Sequence, residues 1–373
     1  MADEAPAPRS DAGDILRLGV LHVGRPESGV RRYGRIITDE LARRAEVRLT
    51  QADAGLLEDR RGGLGARGRR FAAADVDAVL MQWNRRGWGK GPRSAYRFLD
   101  FRRAWPGPLV VTLHDVFDRV GAKERWLQPE VWSLRWLGRS ADRIVVHSEV
   151  EVDRLRGLVP VDKVRVVPHF VEERALALSP EAARAHLGVQ GRRVVTLLGF
   201  IYGRKGHVAA AEAVRSLPDD VVVVFAGGNV AGRDKVLTTV TRIREEQHLG
   251  DRLRITGYLS EEELEAWVAA SHLAILPFKD LSASGSLSTW IAAGKPILAT
   301  DLAGFREYDR RVPGSIRFLP SLDPADIART IRETLDGGLP DIDPAVVTLR
   351  EQLTVPRTAD RYLAVAREVA RVR

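Results

Sequence analysis

Cysteine is absent from the 373 residues, which excludes a disulfide framework, a thiolate zinc or iron–sulfur site and a cysteine nucleophile. No run approaches the roughly 18 uninterrupted apolar residues of a membrane span, and the opening MADEAPAPRSDAGD lacks the apolar core of a signal peptide. A cytoplasmic protein is therefore expected. Neither G-x-G-x-x-G nor G-x-x-x-x-G-K-[ST] occurs between a strand and a helix, so dinucleotide oxidoreductases and P-loop hydrolases lose support. The eight histidines are scattered, with no H-E-x-x-H and no Asp-x-Asp pair near a strand end, so no metal is expected. Lysine is scarce, 7 of the 58 basic residues, which leaves 51 arginines. The net charge of +8 suits nucleic acid, an anionic membrane face or a phosphorylated small molecule. Because the chain has no recognition-helix, RNP, KH or zinc-finger signature, no specific nucleic-acid partner is expected.

What the chain does contain is an alternation of apolar runs and helical patterns. ILRLGVLHVG (15–24) reads as a buried strand entering the turn residues RPESG, and Val30, Tyr33, Ile36, Ile37 and Leu41 then recur at the spacing of a helix lying on a sheet. Further strand-like runs are VDAVLMQW (76–83), LVVTLH (109–114), RIVVHS (143–148) and KVRVVPHF (163–170). A second series begins at RRVVTLLGF (192–200) and continues through VVVVFAGG (221–228), LRITGYL (253–259), the helical EEELEAWVAAS (261–271) and LAILPF (273–278). Strands alternating with helices indicate parallel α/β packing. The expected division is a disordered leader over 1–14, an amino-terminal Rossmann-like domain over 15–170, a carboxyl-terminal one over 171–350, and a last helix over 351–373 that returns toward the first domain.

Ligands of open parallel sheets bind at the carboxyl ends of the strands, where glycine turns and helix starts present N–H groups to anions. Three segments have this chemistry: Gly24 to Gly29, Gly199 to Gly206 with Arg204 and Lys205, and Ser282 to Ser288. Each also admits a plainer reading as turn glycines and helix caps. His114 directly follows the strand LVVTL and is either a site residue or a strand-end histidine satisfied by a neighbour, whereas His147 and His169 read as packing or hinge residues.

The order and spacing of SGVRRYGRIITDELA (28–42), TLHDVF (112–117), ADRIVVHSEVEVDRL (141–155), KVRVVPHFV (163–171), GFIYGRKGH (199–207) and AAGKPILATDLAGFREY (292–308) resemble the family-4 retaining glycosyltransferases. The resemblance implies an α/β GT-B fold, two Rossmann-like domains with parallel sheets facing across a central cleft. It implies metal-independent, retaining, hexosyltransferase-like transfer from a UDP- or GDP-sugar to an acceptor hydroxyl, with the nucleotide sugar as substrate and no further cofactor. By the same resemblance, Ser28 and Gly29 approach the donor phosphates and His114 lines the reaction centre. Lys205 and Arg204 neutralise the leaving diphosphate, and Tyr258 and Leu259 contact the nucleobase.

One departure stands out. Both glutamates of the family's E-x7-E motif are missing, and counting back from AAGKP puts Thr289 at the second position and Leu281 at the first. Ser284, Gly285, Ser286, Leu287 and Thr289 offer hydroxyls and helix-start N–H groups to phosphate or sugar instead. Losing a charge-assisted hydrogen bond to ribose costs on the order of 1.5–3 kcal/mol, which weakens binding without excluding it. Altered donor choice is the leading reading; the alternative is a catalytically degenerate GT-B nucleotide-binding partner subunit or sensor. The acceptor side is open to a hydroxyl-bearing small molecule, lipid or glycan. WNRRGWGKGPRSAYRFLDFRRAW (83–105), with seven basic residues against one acid, leaves three readings: a packed helix with a solvated basic face, peripheral contact with an anionic membrane at its inner face, or an acceptor loop around Trp83, Asn84 and Trp88.

Overall fold

The computed structural model describes residues 15–23, 28–54, 63–83, 92–114, 116, 129–172, 174, 176–229, 234–280 and 284–370. The expected leader 1–14, together with Asn84, Trp88 and Leu281, lies outside the described residues. The chain divides into two units, the first running to Pro168 and resuming at Val355, the second spanning His169–Thr354.

In unit 1 the elements are β1 (Leu16–Val23), α1 (Gly29–Ala42), β2 (Val47–Ala54), α2 (Gly63–Ala73), β3 (Ala78–Trp83), α3 (Pro92–Ala104), β4 (Leu109–Leu113), α4 (Pro129–Ser140), β5 (Arg143–Val146), α5 (Glu149–Leu155) and β6 (Val164–Val166). Unit 2 contains α6 (Pro180–His186), β7 (Arg193–Leu198), α7 (His207–Ala213), β8 (Val221–Ala226), α8 (Lys235–Glu246), β9 (Leu253–Ile255), α9 (Glu261–Ala270), β10 (Leu273–Leu276), α10 (Gly285–Ala292), β11 (Ile297–Thr300), α11 (Ala303–Arg311), β12 (Arg317–Leu319), α12 (Pro324–Asp336) and α13 (Pro344–Gln352). The last helix, α14 (Val355–Ala370), rejoins unit 1.

Each unit holds a six-stranded sheet, ordered β2-β1-β3-β4-β5-β6 and β12-β11-β10-β7-β8-β9, and every pairing is parallel. Central strands such as AVLMQW, LVVTL and VVVVFA are buried at every position, as strands covered on both faces must be. β2 has no such run: VRLTQADA alternates exposed and covered residues at the sheet edge, which hides it from a search for apolar stretches.

In unit 1, Phe71 of α2, Phe98 and Phe101 of α3, Leu134 and Leu137 of α4 and Leu155 of α5 share one core cluster, so these helices cover one face of the sheet. On α14 the buried Tyr362, Leu363, Val365, Ala366 and Val369 form its apolar stripe, and the Tyr362 hydroxyl meets that of Tyr33 on α1 at 3.3 Å. Ion pairs fix the helix further: Glu368 with Arg143 and Arg165, and Asp360 with Arg44, each at 2.8 Å. In unit 2 the fully covered Trp290 of α10 anchors that helix in the core.

Candidate functional site

The strand order of unit 2 reverses between β7 and β10, and the crevice outside the carboxyl ends of such a pair is where open α/β sheets bind ligands. Both flanking loops converge there. After β7 the chain makes a three-residue turn, Gly203–Lys205, and passes through Gly206 at φ +75°. A Cβ on Gly206 would sit 2.0 Å from the Pro277 carbonyl oxygen, so only glycine lets this loop close on the segment after β10. Gly227, at φ +150° after β8, is equally constrained: a Cβ there would lie 2.5 Å from the Gly199 carbonyl oxygen.

This packing directs Lys205 inward. Its ammonium donates to Ser286 Oγ at 2.9 Å and lies 4.2 Å from the centre of the Phe278 ring, and no carboxylate among the described residues pairs with it. Burial pushes its pKa down to about 8. Ser286 belongs to the first turn of α10, where Ser284 caps the helix: its Oγ accepts from Leu287 N at 3.3 Å and lies 3.0 Å from Ser286 Oγ. A half-buried ammonium beside the positive end of a helix is unfavourable alone, and an anion seated between them relieves both. The next residue but one, His207, adds no second cation: burial, with the Lys205 charge after it, pushes its pKa down to about 3.

Other expected residues fall around this centre unevenly. Arg204 is 66% exposed and its guanidinium is bound to Asp280 at 2.6 Å, so it is already neutralised. The Leu287 N–H is taken by the cap, while Gly285 and Ser286 precede the first bond of the helix ladder, Ser288 N to Ser284 O. Thr289 turns its hydroxyl back onto the Gly285 carbonyl at 3.0 Å. Tyr258, after Gly257, is 83% exposed, and Leu259 is partly covered by the core. Phe200, which the sequence pattern did not single out, is half exposed next to Gly199.

Unit 1 presents a separate polar chain. β4 and β5 pair Thr112 with Val145, and two residues further this register sets His114 beside His147. His147 Nε2 lies 3.3 Å from His114 Nδ1, His147 Nδ1 lies 3.0 Å from the Val167 carbonyl, and His114 Nε2 lies 2.7 Å from Gln82 Oε1. A carbonyl only accepts, so His147 Nδ1 carries a hydrogen; with both rings neutral, His114 then donates from Nδ1, and Gln82 must turn its amide N–H toward His114 Nε2. The Tyr33 ring meets both imidazoles edge-on at 5.0 and 5.3 Å. Behind it, the Tyr362 hydroxyl bridges Tyr33 and Thr112 Oγ1, and burial holds both phenols neutral, with Tyr362 pushed up to about 12. His147, read from the sequence as a packing residue, is thus the direct partner of His114; two strand-end histidines on consecutive strands were the available signal.

At the start of α1, Ser28 Oγ accepts from Arg31 N at 3.3 Å, and among the described residues nothing lies within 4 Å of a Cβ built on Gly29. Trp83 does not stand where an acceptor loop would need it. It is 2% exposed and packs in the core of unit 1, because it is the last residue of a fully buried strand.

Two parallel α/β units, one holding an ammonium with no carboxylate partner among the described residues against a helix start at its switch point, define a GT-B architecture with a site suited to a phosphorylated ligand. Residues 192–337 match the family model described as glycosyl transferases group 1, and residues 90–174 match glycosyltransferase family 4. The chain belongs to these glycosyltransferases. It is 27% identical over 248 residues to a 2-deoxystreptamine glucosyltransferase of Streptomyces kanamyceticus, covering 62% of each chain. It is 28% identical over 273 residues to a D-inositol 3-phosphate glycosyltransferase of Mycolicibacterium smegmatis, covering 70% of this chain and 62% of the relative. The match thus spans less than two thirds of either relative's length. Among solved structures, Anabaena HepE in complex with UDP superposes with a TM-score of 0.71 at 13% identity, covering 95% of this chain and all of that one.

Proposed function

We propose that the protein transfers a sugar from a nucleoside diphosphate donor, a UDP- or GDP-sugar, to an acceptor hydroxyl with retention of configuration and without a metal. The observation that carries this reading is the Lys205 ammonium, half-buried, without a carboxylate partner among the described residues and directed at the first turn of α10. In the reaction the bond from the anomeric carbon to the diphosphate oxygen breaks, a bond to the acceptor oxygen forms on the same face, and the acceptor proton passes to the departing phosphate oxygen. No protein carboxylate is then required as base. Lys205 supplies the charge that stabilises the leaving diphosphate, and the Gly285 and Ser286 N–H groups supply fixed donors. In unit 1, His114 orients a sugar hydroxyl, with its ring angle set by Gln82 and His147. Arg204 is held by Asp280 and supports the loop rather than the diphosphate.

Relatives of known name support the donor class: HepE is recorded with UDP and with UDP-glucose. The absence of a carboxylate at Thr289 favours a second reading, a nucleotide-binding subunit without transfer. Thermal stabilisation by millimolar UDP, GDP, ADP and TDP in EDTA tests the donor site, since a ligand at about 100 times its Kd adds roughly 2.7 kcal/mol of apparent stability. A shift with one nucleotide followed by release of that nucleotide from its sugar conjugate supports transfer; a shift without release supports the subunit reading, and no shift with any removes both.

A further inference from the structure

The net charge of the chain is concentrated in one place. The three neighbouring helices α2, α3 and α4 carry nine arginines against two acids, a balance of +7 in a chain whose total is +8. One of the two acids, Asp100, is turned toward α2, where it accepts from Gly65 N at 2.8 Å. At the far edge of the same layer α5 is acidic, so the basic field stops at α4. On the opposite face, α1 and α14 are nearly balanced, and their arginines are engaged: Arg31 and Arg35 with Asp53, and Arg367 with Glu46.

On α2, α3 and α4 the pattern is different. Arg69, Arg70, Arg103 and Arg139 are exposed, and among the described residues none of their guanidinium groups forms an ion pair or hydrogen bond. Beside them stand three of the chain's exposed large side chains: Tyr96 at 68%, Trp132 at 53% and Trp136 at 42%. Trp132 and Trp136 are one helical turn apart and so share one edge of α4. Each of the three helices is already packed on the sheet by Phe71, Phe98, Phe101, Leu134 and Leu137. The outward aromatics are not part of that core cluster, and half or nearly half of each indole surface faces solvent.

We propose that the outer face of the α2–α3–α4 layer docks on an anionic lipid bilayer. Amphipathic rings of Trp and Tyr settle at headgroup depth, and guanidinium groups beside them meet lipid phosphate. The absence of outward carboxylates on α2 and α3 removes the repulsion that an anionic surface would otherwise meet, and the same charge disfavours a second copy of this face as the partner. This surface extends the sequence expectation for 83–105 to α2 and α4, and the proposal stands independently of the glycosyltransferase reading.

The test is co-sedimentation of the full chain with vesicles of phosphatidylcholine alone and with one phosphatidylglycerol in three lipids, at low and at physiological salt. Binding to the anionic vesicles only, weakened by salt and by about fivefold for each arginine removed in Arg103→Gln and Arg139→Gln, is the expected result. Trp132→Ser with Trp136→Ser should reduce binding at least tenfold with unchanged circular dichroism and unchanged nucleotide-induced thermal shift. Equal binding to neutral vesicles, or binding indifferent to all four substitutions, overturns the proposal. So does a concentration-dependent dimer, or retention on single-stranded RNA without vesicle binding, abolished by the same substitutions.

Discussion

Raising the pH from 7 to 9 removes the charge of Lys205 before a diphosphate can meet it. With a pKa of about 8 in the free protein, roughly nine in ten molecules carry the ammonium at pH 7 and roughly one in ten at pH 9. The last ionisation of a terminal phosphate lies near 6, so the ligand's own charge is constant across this window. A bound diphosphate stabilises the ammonium and raises its pKa, so binding takes up a proton, and affinity must fall as pH passes 8. The expected loss between pH 7 and pH 9 is about tenfold, or about 1.4 kcal/mol. Lys295, also held near 8, does not contribute, because its ammonium is fully covered and donates to the Ala269 carbonyl at 2.8 Å in the body of the unit. Isothermal titration with the preferred nucleotide, in two buffers of different ionisation enthalpy, reads both quantities: the affinity at each pH and an uptake of about half a proton at pH 8. Lys205→Met should bind more weakly at pH 7, show no uptake and give a flat profile. Wild-type affinity constant within twofold from pH 7 to 9, or a Lys205→Met variant with the wild-type slope, would refute the assignment of Lys205 to the diphosphate.

Gly206→Ala should unfold unit 2 or cost at least about 4 kcal/mol in urea titration, because φ +75° and the Pro277 carbonyl both oppose a Cβ. Gly285→Ala, where a Cβ meets nothing within 4 Å among the described residues, should match or exceed wild-type stability by about 0.5–1 kcal/mol while weakening nucleotide binding; normal binding would move the phosphate away from this turn. Tyr362→Phe strips the hydroxyl shared by Tyr33 and Thr112 and should lower stability by about 1–3 kcal/mol, read from the urea midpoint of unit 1. His147→Asn should lower kcat more than the donor KM and shift the 15N resonance of His114 Nδ1; an unchanged resonance would show that His147 does not hold that ring.

Much of the architecture was legible because parallel sheets covered on both faces leave continuous apolar runs, as in AVLMQW and VVVVFA. β2 was not, because an edge strand needs only one covered face and VRLTQADA satisfies that with scattered residues. Lys205 could be found from its position between glycines, yet its lack of a carboxylate partner among the described residues depends on how the loop after β7 meets the one after β10, which sequence order does not display. Arg204 looked equivalent to its neighbour, and one residue of rotation carries it to Asp280 instead. The His114–His147 contact depends on strand register, which both strands' apolar runs imply only after the pairing is known. Trp83 was open to two readings, the end of the strand-like run 76–83 and part of an acceptor loop with Asn84 and Trp88; β3 does end at Trp83 and buries the indole.

The most direct measurement is nucleoside diphosphate release from UDP- and GDP-sugars by the wild-type chain and by Lys205→Met, in EDTA, with the anomeric configuration of the product read by proton NMR. The account predicts release from one donor class, an axial product from an axial donor, and turnover lowered at least a hundredfold in Lys205→Met, since an electrostatic donor to a developing anion contributes on that scale. Wild-type turnover retained in Lys205→Met, or an inverted product, would contradict it.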